Sequence, residues 1–255
     1  MDLTEFATRL DDRLRVDAYA EFDPNANGLQ VGPDERSVER AAFAVDAAVE
    51  TIERAAAADA DVLVTHHGVG FGGFERVTGQ QYNRIAPLIE AEMALYSVHL
   101  PLDGHPELGN AAGLADLLGL SDREPFGALG DEHLGLRGRF AEAADPTELA
   151  TLLSTELDTG DQPVQLLDFG PAALRDVAVL TGSGTDWLPE AAAAGVDAFV
   201  TGEGKQALYH QAKEAGVTVF LAGHYATETF GVRSLQGLAE EWGLATTFVD
   251  APTGL

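Results

Sequence analysis

The sequence predicts an α/β protein built as two similar lobes with mainly parallel sheets and a site in the cleft at the strand C-terminal ends. Three observations carry that expectation. From Ala41 onward, short apolar runs alternate with helical patterns, the βαβα signature of a parallel sheet. A weak internal repeat relates AAAADADVLVTHHG (55–68) to AAAAGVDAFVTGEG (191–204), aligning Asp61 with Asp197, Thr65 with Thr201 and Gly68 with Gly204. Finally, 255 residues at 45% hydrophobic composition can fill a core in one large domain or two lobes, with roughly 100–200 residues per domain the usual range. The boundary between lobes is expected near 122/123, giving lobes of about 1–122 and 123–255.

Leu3, Phe6, Leu10 and Leu14 recur at helical spacing behind Asp2, with Glu5 three residues on, which predicts an amphipathic surface helix opened by a carboxylate capping box. The turn formers of DPNANGLQVG (23–32) predict a loop. Next come a strand at AAFAV, a helix over about 47–59, a strand at VLVT, a helix over about 79–92, a strand at ALYSV and a helix over about 110–118. SDREPFG (121–127) reads as a linker, HLGLRGRF as a strand, and Asp145-Pro146 with Glu148 as a helix start. VQLLDF, VAVL, DAFVT, VTVFLA and ATTFV follow as strands, with helices at about 186–194, 205–215 and 227–241.

Composition excludes several classes of function. With no cysteine, there is no disulfide framework, thiolate zinc site, iron–sulfur cluster or cysteine nucleophile, so any metal must be held by nitrogen and oxygen. Apolar stretches of five or six residues fall far short of the roughly 20 needed to span a membrane. The acidic, amphipathic N-terminus is unlike a signal peptide, and a soluble cytoplasmic protein is expected. Fifteen Lys+Arg against 42 Asp+Glu leave a net charge of −27, which disfavours non-specific nucleic-acid binding. Only two of the basic residues, Lys205 and Lys213, are lysines, and this acidic, lysine-poor composition matches salt-adapted (halophilic) proteins.

Six of the seven histidines, all but His133, are expected at strand ends or just after them, where open α/β sheets bind ligands. His66-His67 follows VLVT and suits one histidine for each of two metals. Asp103 in HLPLD follows ALYSV and can ligate through one or both oxygens or bridge two cations. In GHYATE after VTVFLA, His224 and Glu228 stand one helical turn apart, a chelating spacing. His99 precedes Asp103 by four residues just as His224 precedes Glu228. Each motif also has a plain structural use, as a sheet-rim hydrogen bond, a turn aspartate or a helix-start carboxylate.

NGLQVG (27–32), THHG (65–68), HLPLDGHPELGN (99–110), TGEGKQ (201–206) and GHYATE (223–228) occur in the order of a dinuclear-metal, toroid-forming family. The chain resembles these GTP cyclohydrolase 1 type 2 homologues, also called Ngg-interacting-factor-three-like proteins, from about residue 20 to 250. The resemblance implies a single family domain over 1–255, in a short form without the central domain that longer members insert near 120–135. It implies His66, His67, Asp103, His224 and Glu228 as ligands of two divalent cations, zinc, iron or manganese. It gives His99 and His105 pocket or proton-transfer roles, with a hydrogen bond to a ligand the equal alternative for His99. His210 and Tyr225 are lesser candidates. A homo-oligomer, a hexameric ring, is implied as well. The function that follows is metal-dependent hydrolysis of a small molecule, a nucleotide or related heterocycle. Transition-metal storage, delivery or sensing without turnover, and a ring-shaped interaction scaffold, stay open beside it.

Overall fold

A computed structural model of the chain describes residues 1–33, 35–73 and 76–255. Two compact units are present, one of Met1–Leu102 with Gly231–Ala251 and one of Asp103–Phe230 with Pro252–Leu255. The division differs from a cut at 122/123 because the chain returns to its first sheet near the end.

In the first unit, α1 (Leu3–Leu14) is capped by Asp2, whose carboxylate accepts from Thr4 N at 2.9 Å. Glu5 does not complete a capping box; its side chain pairs with Arg9 one turn on. The segment expected to be a loop contains a short strand, β1 (Gly28–Val31), entered through Gly28 at φ +103°. There follow β2 (Arg40–Asp46), α2 (Val49–Ala57), β3 (Val62–His67), α3 (Gln80–Glu90) and β4 (Ala94–Ser97). After the excursion through the second unit, α10 (Thr229–Glu241) leads to β11 (Ala245–Phe248). The sheet runs β1-β4-β3-β2-β11, with β1 antiparallel to β4 and every other pairing parallel. Register aligns Phe43, Val64 and Tyr96 on one face and Ala42, Leu63 and Leu95 on the other. Phe6 of α1 meets Tyr96 edge-on, and Trp242 meets Phe6 from the opposite end of the sequence. Ala42, Leu63 and Leu95 pack with Ile52 of α2 and Leu88 of α3.

The chain passes from the first unit to the second at the last residue of α4 (Leu100–Asp103), and the second unit then holds α5 (Asn110–Leu117), β5 (Ser121–Leu129), β6 (Glu132–Ala144) and α6 (Pro146–Glu156). It continues through β7 (Gln165–Leu167), β8 (Leu174–Val179), α7 (Leu188–Ala193), β9 (Ala198–Thr201), α8 (Gln206–Ala215), β10 (Thr218–Leu221) and α9 (His224–Thr227). The helix expected over 227–241 is thus α9 and α10, divided at Glu228. The expected linker at 121–127 is the strand β5, which pairs antiparallel with β6. It escaped the hydropathy pattern because it is an edge strand: Ser121 to Pro125 are exposed, and a Pro is tolerated where no outer neighbour needs its N–H. The order is β5-β6-β8-β9-β10-β7, with the central β8, β9 and β10 parallel and the flanking pairs antiparallel. Asp145 caps α6, accepting from Thr147 N and Glu148 N.

The internal repeat is a repeat of hydrogen bonds. Asp61 Oδ2 accepts from Glu39 N and Arg40 N at the start of β2, and Asp197 Oδ2 accepts from Arg175 N and Asp176 N at the start of β8. Val62 pairs with Ala41 as Ala198 pairs with Val177. Ala94 N donates to Asp61 O as Thr218 N donates to Asp197 O, and Val98 N to Thr65 O as Ala222 N to Thr201 O. This register places Gly223, not His224, in the position equivalent to His99, and Thr227 in the position equivalent to Asp103, one residue away from the motif alignment. No helix among the described residues is long and apolar enough to cross a membrane.

Candidate metal centre

In the first unit, β3 runs through both histidines of the THHG motif, so the sheet itself positions them. His66 is fully buried, and its Nδ1–H donates to Val98 O at 3.1 Å. The carbonyl can only accept, which fixes this tautomer. His67 Nδ1 lies 2.9 Å from Asp46 Oδ1, across the last register pair of β2 and β3. His99 Nδ1 lies 2.9 Å from Asp23 Oδ1. With Nδ1 engaged in all three rings, Nε2 is the nitrogen each can offer to a metal. The rings converge, His66 standing 4.7 Å from His67 and 4.9 Å from His99 between centroids. One ligand nitrogen from each falls within 4.8 Å of the others. Phe71, half exposed, meets the His99 ring edge-on at 5.1 Å.

In the second unit, Asp103 ends α4 with its carboxylate buried. Asn110 Nδ2 donates to its Oδ1 at 2.8 Å, and Thr181 Oγ1 donates to the same oxygen at 3.3 Å. Asp103 and Glu228 bring carboxylate oxygens within 4.8 Å of each other. His224 opens α9 and Glu228 follows its last residue, so the pair keeps the expected i, i+4 relation, with Nε2 3.1 Å from Glu228 Oε1. His224 Nδ1 lies 3.2 Å from Glu203 Oε1. Burial by itself would lower the His224 pKa, but the hydrogen bonds and charges of Glu228 and Glu203 outweigh it and raise the pKa to about 9. In the metal-free chain a proton therefore joins the two carboxylates through this ring.

The shared register makes the differences between the two units legible. By register, Glu203 occupies the position of His67 and Gly182 that of Asp46. Gly182 has φ +59°, and a Cβ there would come within 2.1 Å of Glu228 Oε1. Where one unit has an Asp–His pair, the other has emptied that position to seat a carboxylate.

The remaining expected residues lie elsewhere. His105 Nδ1 accepts from Glu107 N and Leu108 N, shaping the turn into α5. His210 is exposed in the middle of α8 beside Tyr209, not at a strand end, and Tyr225 is buried. Asp23, Asp46, Glu203, Asn110 and Thr181, which hold the expected residues in place, were not singled out by sequence. Glu203 was within reach, since it occupies the position of His67 in the repeat; Asp23 carried no signal separating it from neighbouring turn formers.

The fit of a metal can be judged from the donors. Imidazole nitrogens and carboxylate oxygens without thiolate suit borderline to hard divalent cations, and the side-chain-free cradle at Gly182 leaves the Glu228 carboxylate in place.

Similar proteins share the full length of this fold. The chain is 60% identical to a GTP cyclohydrolase 1 type 2 homolog of Halobacterium salinarum, covering 100% of both chains. Among solved structures, protein ybgI, of unknown function, superposes with a TM-score of 0.91 at 34% identity, covering 100% of both chains. TTHA1606 from Thermus thermophilus gives a TM-score of 0.89 at 37% identity, again over 100% of both. The Duf34/NIF3 (NGG1p interacting factor 3) family matches residues 1–253, and with this fold and these relatives the chain belongs to that family.

Proposed function

We propose that the chain binds two divalent cations through His66, His67, Asp103, His224 and Glu228 and is a metal-dependent hydrolase of a nucleotide or related heterocycle. The observation that carries the metal reading is the convergence of His66 and His67, whose Nδ1 atoms are already held by Val98 O and Asp46. Such backing fixes the tautomer and orients Nε2, as is general for metal-ligating histidines. The substrate class is supported by the names of the curated relatives, a weaker warrant than the site.

Cations held by those residues would supply Lewis acidity toward a substrate oxygen and water. The chain does the rest. Asn110 and Thr181 hold the Asp103 carboxylate, Glu203 orients His224, and Gly182 makes room for Glu228. His99, beside His66 and His67, carries a proton between substrate and solvent.

Elemental analysis of protein purified without chelator should approach two metals per chain, and one well-occupied site alone would refute the pair. A nucleotide panel should then show turnover that chelation abolishes. Both metals bound without any turnover would move the reading to metal storage or delivery.

A further inference from the structure

The loop that joins α1 to β1 is built around a buried charge that the proposed ligand set does not use. The Asp23 side chain is fully buried and each of its oxygens accepts two hydrogen bonds. Oδ1 takes Asn25 N and His99 Nδ1, both at 2.9 Å, and Oδ2 takes Asn27 Nδ2 and Leu100 N, both at 2.8 Å. Burial alone would raise its pKa, but the hydrogen bonds and His99 outweigh it, so the carboxyl sits below the usual range and is ionised. The network continues outward. Asn27 Oδ1 accepts from His99 N and Asn25 Nδ2, and Asn25 Oδ1 accepts from Gln30 Nε2. Gln30 Oε1 in turn accepts from Val69 N and Gly70 N, just after the histidine pair. A Cβ at Gly68 would strike Gln30 at 2.3 Å, so that packing requires a glycine.

An ionised carboxylate is acceptor-only, so the proton of this contact belongs to His99 Nδ1, and in the neutral ring Nε2 carries the lone pair. We infer that Asp23 is a positioning residue: through the Asn25, Asn27 and Gln30 network it locks His99 as the Nδ1–H tautomer and sets its Nε2 beside His66, His67 and Phe71 as the proton acceptor of the site. This inference deepens the proposed hydrolase and rests on it for the identity of what His99 serves. The step is a proton transfer. Nε2 takes a proton from a substrate or water O–H while Asp23 holds Nδ1–H in place, and the proton leaves again from Nε2 to the departing atom. Buried carboxylates act on imidazoles in this way in hydrolytic triads.

Two-bond ¹⁵N–¹H correlation spectra of the metal-free, ¹⁵N-labelled chain test it, with His99 identified by the signal that His99→Gln removes. Wild type should show a protonated Nδ1 and an unprotonated Nε2 at His99. In Asp23→Asn the amide must set its NH₂ against two donors. With the oxygen kept toward Leu100 N and Asn27, the NH₂ donates to His99 Nδ1 and the ring switches to the Nε2–H form. That variant should retain the wild-type metal content, because Asp23 is not a ligand. An Nε2–H or mixed ring in wild type would overturn the inference, as would an unchanged tautomer or stripped metal in Asp23→Asn. The wild-type spectrum decides the tautomer even if the variant folds poorly. A chain that shows the Nδ1–H ring yet never binds metal would refute the metal reading while leaving the Asp23–His99 geometry standing.

Discussion

Replacing Gly182 by alanine separates the cost of backbone strain from the loss of a ligand. The added Cβ would lie 2.1 Å from Glu228 Oε1, whereas real Cβ contacts essentially never fall under 3.0 Å, so the carboxylate must retreat by at least 3.0 − 2.1 = 0.9 Å. Metal–carboxylate bonds are about 2.0–2.2 Å with a tolerance of about 0.2 Å, and such a retreat exceeds that several times over. The clash is with the end of a side chain, so it moves Glu228 and not the backbone. What remains is the left-handed conformation at φ +59°, which costs an alanine about 1–2 kcal/mol. Gly195 supplies the control, with φ +71° and nothing within 4 Å of its added Cβ. In chelator, both variants should melt lower by a similar amount, about 2–8 °C given about 2–4 °C per kcal/mol for a chain of this length. After metal is restored, elemental analysis should give two cations per chain for Gly195→Ala and one or none for Gly182→Ala. Two tightly held cations in Gly182→Ala would show that Glu228 is not a ligand or that its seat does not matter.

Asp61 ties the start of β2, and burial alone would raise its pKa, but the Glu39 N–H, Arg36 and the Arg40 N–H outweigh burial and lower it. A folded pKa below the unfolded value stabilises the chain above the unfolded pKa, and this is lost as pH falls through the folded one. Asp61→Asn should therefore cost about 1.5–3 kcal/mol near neutrality, the worth of charge-assisted hydrogen bonds, and the difference from wild type should shrink below about pH 4 in denaturant melts. Salt acts on the whole chain: with −27 charges, dilution from 1 M to 0.01 M stretches the Debye length from about 3 to about 30 Å, and the melting temperature should fall. An unchanged melting temperature would refute salt adaptation, and a monomer mass by light scattering in high salt would refute the hexameric ring that the family resemblance implies.

The strands that alternated with helices were legible because burial on both faces makes an apolar run, as in β2, β3, β9 and β10. The edge strands β7 and β11 were read as well, but β1 was hidden among the turn formers of 23–32 and β5 by its exposed run from Ser121 to Pro125. Motif alignment misjudged the repeat by one residue because it matched His99 to His224 by chemistry, while the ladder matches His99 to Gly223 by register. Asp103, His224 and Glu228 stood out because each belongs to a segment, HLPLD or GHYATE, that sets an acid four residues after a histidine beyond an apolar strand. Asp23 and Asp46 did not, because an aspartate in a turn or at a strand end is the expected residue on local grounds alone.

The return of β11 to the first sheet has a consequence for how the chain is made. Ala245 pairs with Arg40 and Phe248 with Phe43, and the continuous stretch of the second unit, Asp103–Phe230, lies between those partners. During synthesis β2 therefore waits as a bare edge, and Phe6 waits for Trp242, until nearly all of the second unit has left the ribosome. The second unit, contiguous but for its last four residues, can close first. The histidine-bearing sheet then reaches its full width late, on a template whose unsatisfied strand edge is the point at which a nascent chain is most exposed to wrong pairing.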